Sequence, residues 1–216
     1  MSLKYRYQEY QVGRHRIRLR TLRNLDQYTQ TGGAAEAVGI SREAFPLFAI
    51  VWCSAEVLAN LLIKEQLSHK RILEVGCGMG LASHLLNALG NDVTAMDIHP
   101  ITQDLLDDNA ALNNQRPISF CQGSWSDEIL QLGSFDLIIG SDILYEPKHV
   151  KRLADFLDRH LEASGEVVIV DPDRGQSETF VMDMEKLGFL TAISQPEFID
   201  ELGIPYDGSI FRFTRS

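Results

Sequence analysis

The residues of this chain that could do chemistry gather around one turn. The run Arg71-Ile72-Leu73-Glu74-Val75-Gly76-Cys77-Gly78-Met79-Gly80-Leu81 leads from an apolar strand through three glycines into the start of a helix. Glycine tolerates positive φ and lets a ligand come close to the backbone, and the first turn of a helix leaves N–H groups without partners. Spacing and charge then narrow the ligand. A dinucleotide turn reads G-x-G-x-x-G and needs glycine at position 81, but Leu81 stands there and the third glycine is Gly80. Glu74, two residues before the first glycine, discourages a pyrophosphate and suits a cation. The turn therefore favours a small, partly cationic nucleoside over NAD. Asp97, nineteen residues after Gly78 at the end of Val93-Thr94-Ala95-Met96, is placed to accept hydrogen bonds from both hydroxyls of a ribose.

Such a constellation needs a sheet to carry it, and the hydrophobic pattern supplies one. Apolar runs predict strands at 71–75, 92–97, 118–122, 135–141, 166–171, 189–194 and 210–214. Helical periodicity predicts helices at 54–67, 80–89, 101–113, 148–161 and 177–187. Gly90 and Gly188 stand where a helix end wants a left-handed residue. Near-continuous apolar strands such as Phe135-Asp136-Leu137-Ile138-Ile139 suit a parallel sheet covered on both faces. The last two strands have no helical pattern between them, so they form an antiparallel hairpin. The fold class is α/β: a doubly wound, Rossmann-like, mostly parallel seven-stranded sheet. Residues 1–45 are expected to be a basic, hairpin-like extension and 46–216 the domain proper, with Gly32-Gly33 a loop.

Composition removes several alternatives. With 216 residues, 44% hydrophobic and 23% charged, the chain is an ordinary globular protein large enough to need no disulfide or metal staple. The longest apolar stretch, Leu47 to Ile63, contains Glu56 and Asn60 and is too short and too polar for a membrane span. No signal core follows Met1, so a soluble, cytoplasmic protein is expected. Cys53, Cys77 and Cys121 form no CxxC pair and the six histidines no metal-ligand spacing, so no metal site is expected. Residues 1–25 carry seven of the twenty bases against one acid, a balance of +6, while the remainder carries −16. An acidic body is a poor nucleic-acid partner and favours basic protein segments or cationic small molecules. In Arg14-His15-Arg16-Ile17-Arg18-Leu19-Arg20 the arginines share one face of a strand, either blunting an edge or offering a basic arm to a partner. Nothing in the sequence assigns an oligomeric state.

At the glycine turn the chain resembles the class I, seven-stranded S-adenosylmethionine-dependent methyltransferases. Glu74-Val-Gly-Cys-Gly-Met-Gly80 is similar to their first motif, and Asp97 matches their acid at the end of the second strand. The resemblance spans roughly residues 45 to 216. It implies S-adenosylmethionine as cofactor, with Gly76, Gly78 and Gly80 packing against its amino acid and ribose portions and Glu74 helping to anchor the methionine end. More local matches resemble the family 16 protein methyltransferases, which include many lysine methyltransferases. These are Phe48-Ala-Ile-Val-Trp52-Cys-Ser-Ala-Glu-Val-Leu58 and Phe135-Asp-Leu-Ile-Ile-Gly-Ser141-Asp142-Ile-Leu-Tyr145, with its D-x-x-Y element. Gly123-Ser124-Trp125 is similar to their D-W segment beside the adenine, with Ser124 in place of the acid; Cys53 stands where many members have Pro. Asn113-Asn114 falls at a polar helix end. The resemblance implies Trp52 at the methionine end, Trp125 against the adenine, and Ser141 at the cofactor.

Methyl transfer from a sulfonium needs in-line attack by a neutral nucleophile held close. A lysine arrives as an ammonium and must first lose its proton, which a neighbouring sulfonium charge favours. Asp142 follows the fourth strand at the ligand edge of the sheet; it is expected to orient the acceptor amine, with Tyr145 lining the channel. The absence of an Asn/Asp-Pro-Pro-Tyr/Phe segment and the acidic body argue against DNA or RNA. A protein lysine is the expected acceptor. The alternatives are a small-molecule amine, a cofactor-binding scaffold without turnover and, opposed by Leu81, an NAD oxidoreductase.

Overall fold

The computed structural model describes residues 4–24, 27, 40, 45–127, 132–197, 203 and 206–215; Gly32-Gly33 lies outside them. Two strands, β1 (Tyr5–Val12) and β2 (His15–Leu22), open the chain. A short 3-10 helix (Phe45–Ala49) and helix α1 (Cys53–Leu62) follow. Then β3 (Arg71–Val75), α2 (Leu81–Ala88), β4 (Asp92–Asp97), α3 (Thr102–Leu112) and β5 (Ser119–Gln122) alternate. After them come β6 (Phe135–Ser141), α4 (Pro147–His160), β7 (Leu161–Asp171), α5 (Ser177–Lys186), β8 (Phe189–Ser194) and β9 (Ser209–Arg215).

Strands β3 to β9 form one sheet in the order β5-β4-β3-β6-β7-β9-β8. The first five are parallel, whereas β9 runs antiparallel to both β7 and β8. The expected antiparallel pair is therefore present, with the last strand inserted inside the sheet and β8 left at the edge. Both faces are covered, which explains the unbroken apolar runs. On one face Leu73, Ile138 and Ile169 pack with Leu153 of α4 and Phe180 of α5; on the other Ile72, Ile139 and Val168 pack with Leu58 and Leu62 of α1 and Leu86 of α2.

Two boundaries differ from expectation by more than two residues. Helix α1 stops at Leu62 rather than 67, because Lys64 N and Glu65 N donate to Leu61 O and Leu62 O, a three-residue tightening that ends a helix and turns Leu67 into the core. Strand β7 starts at Leu161 rather than 166, since Leu161 already pairs with Phe135.

The N-terminal strands form an antiparallel hairpin pairing Tyr10 with Ile17 and Val12 with His15. Its alternation is the one the sequence suggested: Ile17 and Leu19 are buried, while Arg16 and Arg18 are exposed. The buried face packs on Ala59, Leu81, Leu85 and Leu105. The outer edge of β2 is covered by two amides one helical turn apart, Asn109 on α3 and Asn113 at its C-terminal cap. Asn113 Oδ1 accepts from Arg18 N (2.8 Å) and its Nδ2 donates to Arg18 O (2.7 Å); Asn109 Oδ1 accepts from Arg20 N (2.7 Å). Side chains thus supply the bonds a further strand would make. Arg20 also pairs with Asp108.

Candidate active site

The chain leaves β3 and β6 as neighbours, although β4 and β5 build outward from β3 in the opposite direction. This is the switch point at which ligands bind in open α/β sheets. At the carboxyl edge there lies a cavity of about 790 Å³, bounded by the turn 76–81, Asp97, the segment 122–127, the residues after β6 and a wall from Leu47 to Trp52.

The glycine turn has the backbone its composition requires. Gly76, Gly78 and Gly80 have φ of +62, +50 and +63°, a left-handed region costly for residues with a Cβ. A Cβ on Gly78 would lie 2.8 Å from the backbone oxygen of Phe48, so the turn and the Leu47–Trp52 wall approach as closely as they do because that side chain is missing. Gly80 caps α2.

Asp97 is buried at the end of β4 and lines the cavity. Its Oδ2 accepts from Gly78 N and its Oδ1 from His99 N, both at 2.8 Å. An ionised carboxylate has about four lone-pair sites, so it can still accept from a further donor. Burial raises its pKa above the ordinary carboxylate value despite these bonds. His99, stacked on Phe48 at 3.5 Å, is held neutral, its pKa lowered to about 3 by burial.

Glu74 does not line the cavity. It is buried beneath the turn, where one carboxylate oxygen accepts from Ser83 N (2.9 Å) and Ser83 Oγ (2.5 Å) and so ties down the start of α2. Burial, opposed by the Ser83 bonds, pushes its pKa up to about 7. A carboxyl whose pKa is about 4.5 unfolded and about 7 folded takes up a proton on folding. The stability this gives is full below pH ~4.5 and is lost as pH rises towards 7. Glu74→Gln, which keeps an oxygen for Ser83, is expected to gain on the native protein over that window, by about 3 kcal/mol in all at ~1.4 kcal/mol per unit. Urea midpoints of both proteins at pH 5 and 7 measure this; parallel pH profiles would refute it.

Trp52, Trp125, Ser141, Asp142 and Tyr145 all line the same cavity, with Gly76, Gly78, Gly80 and Asp97. The Trp125 ring meets His149 edge-on at 6.1 Å. Ser124 N donates to Asp127 Oδ2 (2.7 Å), so an acid reaches this segment three residues later than the D-W pattern has it. Tyr145 is half exposed at the mouth; loss of solvent and the charges of Asp97, Glu146 and Asp142 push its pKa up to about 12, so the phenol keeps its proton. Cys77, buried and with its pKa well above the usual thiol value, is a packing residue, as expected. Sequence reasoning missed Arg174 on the loop after β7, whose Nε and Nη2 donate to Asp142 Oδ1 (2.7 Å) and Oδ2 (2.9 Å). It also missed Glu146, His149 and Arg152 at the mouth. The one available signal was their position just after parallel strands, on the ligand edge. Among the described residues no cluster of His, Cys, Asp or Glu could hold a metal ion, and no helix is long and apolar enough to cross a membrane.

A model of the family described as "Lysine methyltransferase" matches residues 46–187. The chain is 34% identical over 128 residues to the histidine protein methyltransferase 1 homolog of Dictyostelium discoideum, covering 55% of this chain and 40% of that protein. It is 31% identical over 129 residues to protein N-lysine methyltransferase METTL21A of Danio rerio, covering 56% and 59%. The matches thus span about half the length of these relatives. Among solved structures the fold is similar to the 16S rRNA N2 G1207 methyltransferase of T. thermophilus, in complex with AdoMet and guanosine, at TM-score 0.66 and 13% identity over 100% of this chain and 52% of that one. The ribosomal protein L11 methylase of Lactobacillus delbrueckii subsp. bulgaricus gives 0.61 and 22%, over 76% and 78%. At these identities the likeness to solved structures is one of fold.

Proposed function

The chain belongs to the lysine methyltransferase family, and on that premise we propose that it transfers a methyl group from S-adenosylmethionine to a lysine side chain of a protein. The observation that carries this is the single cavity in which the glycine turn and Asp97 face Asp142 and Tyr145. The residues fit the cofactor. Asp97 offers its carboxylate to the ribose hydroxyls, Trp125 and the segment 122–127 line the cavity for the adenine, and Trp52 and Ser141 line it for the methionine portion, with the glycine turn beneath. Glu74 acts on that end through the turn it supports. When bound, the cofactor supplies an electrophilic methyl on a sulfonium.

The chain's own residues do the rest. Asp97, Asp127, Asp142 and Glu146 line the cavity against Arg152 and Arg174, an acidic balance that suits a cationic side chain. Asp142 orients its nitrogen as Tyr145, protonated throughout the working range, lines the approach. The two indoles line the cavity, and near a second positive charge the ammonium gives up its proton to water more easily. The acidic body supports a basic protein segment over nucleic acid as partner, and three free cysteines, Cys53, Cys77 and Cys121, support a reducing, cytoplasmic setting.

Calorimetric titration with S-adenosylmethionine, against NAD as control, tests the cofactor; binding of NAD alone would overturn it. A radiolabelled methyl-transfer screen on cell lysate, with and without protease treatment, separates protein acceptors from small amines. Asp142→Asn is expected to lower turnover about a hundredfold with cofactor affinity unchanged. Full turnover in both Asp142→Asn and Tyr145→Phe would remove these two residues from the acceptor site.

A further inference from the structure

The cavity already holds a cation of the chain's own making. The Arg174 guanidinium forks onto both oxygens of Asp142 and lies 5.5 Å from the centre of the Trp52 ring. The two partners are unequally placed: the Asp142 side chain is 6% exposed and that of Arg174 is 44% exposed. Among the described residues the guanidinium makes its side-chain hydrogen bonds to Asp142 alone. The backbone of Asp142 is tied to the neighbouring strand. Its N–H donates to Val170 O (2.9 Å) and its φ is +54°, a left-handed conformation uncommon outside glycine that aspartate adopts more readily than most residues. The carboxylate is therefore a built, covered feature of the cavity wall, and the arginine is a mobile-length side chain reaching it from the solvent side.

A carboxylate so covered needs a positive partner, and an aromatic face beside it adds attraction for any organic cation. Resting on the reading that Asp142 faces the acceptor, we infer that Asp142 and Trp52 form a subsite for an alkyl cation, and that Arg174 fills this subsite until the acceptor's side chain displaces it. The exchange swaps one ion pair for another, so its net cost is small, and the released guanidinium returns to water it already half occupies. Arg174 is thus a specificity residue. A neutral side chain cannot replace it without leaving Asp142 unpaired. An ammonium can, and it then stands between the carboxylate and the reacting centre. Because the site is competent only in the fraction of molecules whose arginine has left, apparent acceptor affinity is reduced by that fraction.

The test uses n-butylammonium as probe on the full chain, without cofactor. In Arg174→Ala, saturable binding followed by Trp fluorescence and amide NMR shifts is expected, about tenfold tighter than in the native protein and lost in Arg174→Ala/Asp142→Asn. In the native protein the Arg174 Nε–H resonance, assigned by its absence from the variant, is expected to move to its solvent-exposed position as the probe saturates. Arg174→Gln provides the same measurement with a polar side chain retained at the loop. Equal binding to all variants, no binding to either Arg174 variant, or an Nε–H signal unmoved at saturation would overturn the exchange. None of these outcomes involves S-adenosylmethionine, so failure of cofactor binding, which would sink the proposed function, is read separately.

Discussion

Replacing Asp97 by Ala is expected to weaken S-adenosylmethionine binding by a hundredfold or more in calorimetry, with the protein still folded. The ribose would lose two hydrogen bonds to an ionised acceptor, each worth about 1.5–3 kcal/mol, and about 3 kcal/mol is already a factor of ~100. The turn would loosen as well, because Asp97 bonds both Gly78 N and His99 N. Asp97→Asn keeps the shape and one acceptor oxygen, so its loss should be smaller. The same carboxylate gives the affinity a pH dependence. Two hydroxyl donors favour the ionised form, so binding is strongest above the pKa of free Asp97 and falls as pH drops through it. Burial sets that pKa above the ordinary value, so the fall should begin at a higher pH than a surface aspartate would give. Unchanged affinity in Asp97→Ala would mean that the ribose lies elsewhere.

Gly78→Ala is expected to be the most damaging single methyl in the site. The alanine would carry the left-handed φ of +50°, costing about 1–2 kcal/mol, and would set its Cβ 2.8 Å from the Phe48 carbonyl oxygen. A backbone carbonyl cannot rotate aside, so the Leu47–Trp52 wall must move, adding roughly 1–3 kcal/mol and spoiling the cavity. Gly80→Ala is the internal control. Its φ of +63° carries a similar penalty, but its Cβ meets the tip of the Leu106 side chain, which can yield. Denaturant midpoints and cofactor affinity should both fall further for Gly78→Ala; equal losses would show that the approach of Phe48 matters little.

Periodicity and punctuation made the sheet and its helices legible, because apolar runs, glycine caps and strand-end acids are local signals. The glycine turn and Asp97 were legible for the same reason: each belongs to one strand and the residues just after it. What escaped was everything decided by which strands become neighbours. No pattern within β8 or β9 says that β9 slips between β7 and β8. Arg174 is one base in a loop until β6 and β7 lie side by side and bring it to Asp142, 32 residues earlier. Glu74 read as a ligand group because it precedes the turn; Ser83, curling back from α2, claims one of its oxygens. The arginines of β2 read correctly as one face, but nothing in them names Asn109 and Asn113 as the cover of the strand's edge.

That cover has a consequence for how the molecule is made. Arg18 waits for Asn113, 95 residues further along the chain, and at ~5–20 residues per second a ribosome takes several seconds to deliver it. Through that interval the nascent hairpin has no complete α3 to close its edge, and the residues that cover Ile17 and Leu19, from Ala59 to Leu105, arrive only one after another. The arginines interleaved with those two residues act meanwhile as gatekeepers, since a strand bearing a charge at every second position resists pairing with its neighbours on the polysome. The alternation that looks like a binding arm in the finished protein thus also protects it during synthesis.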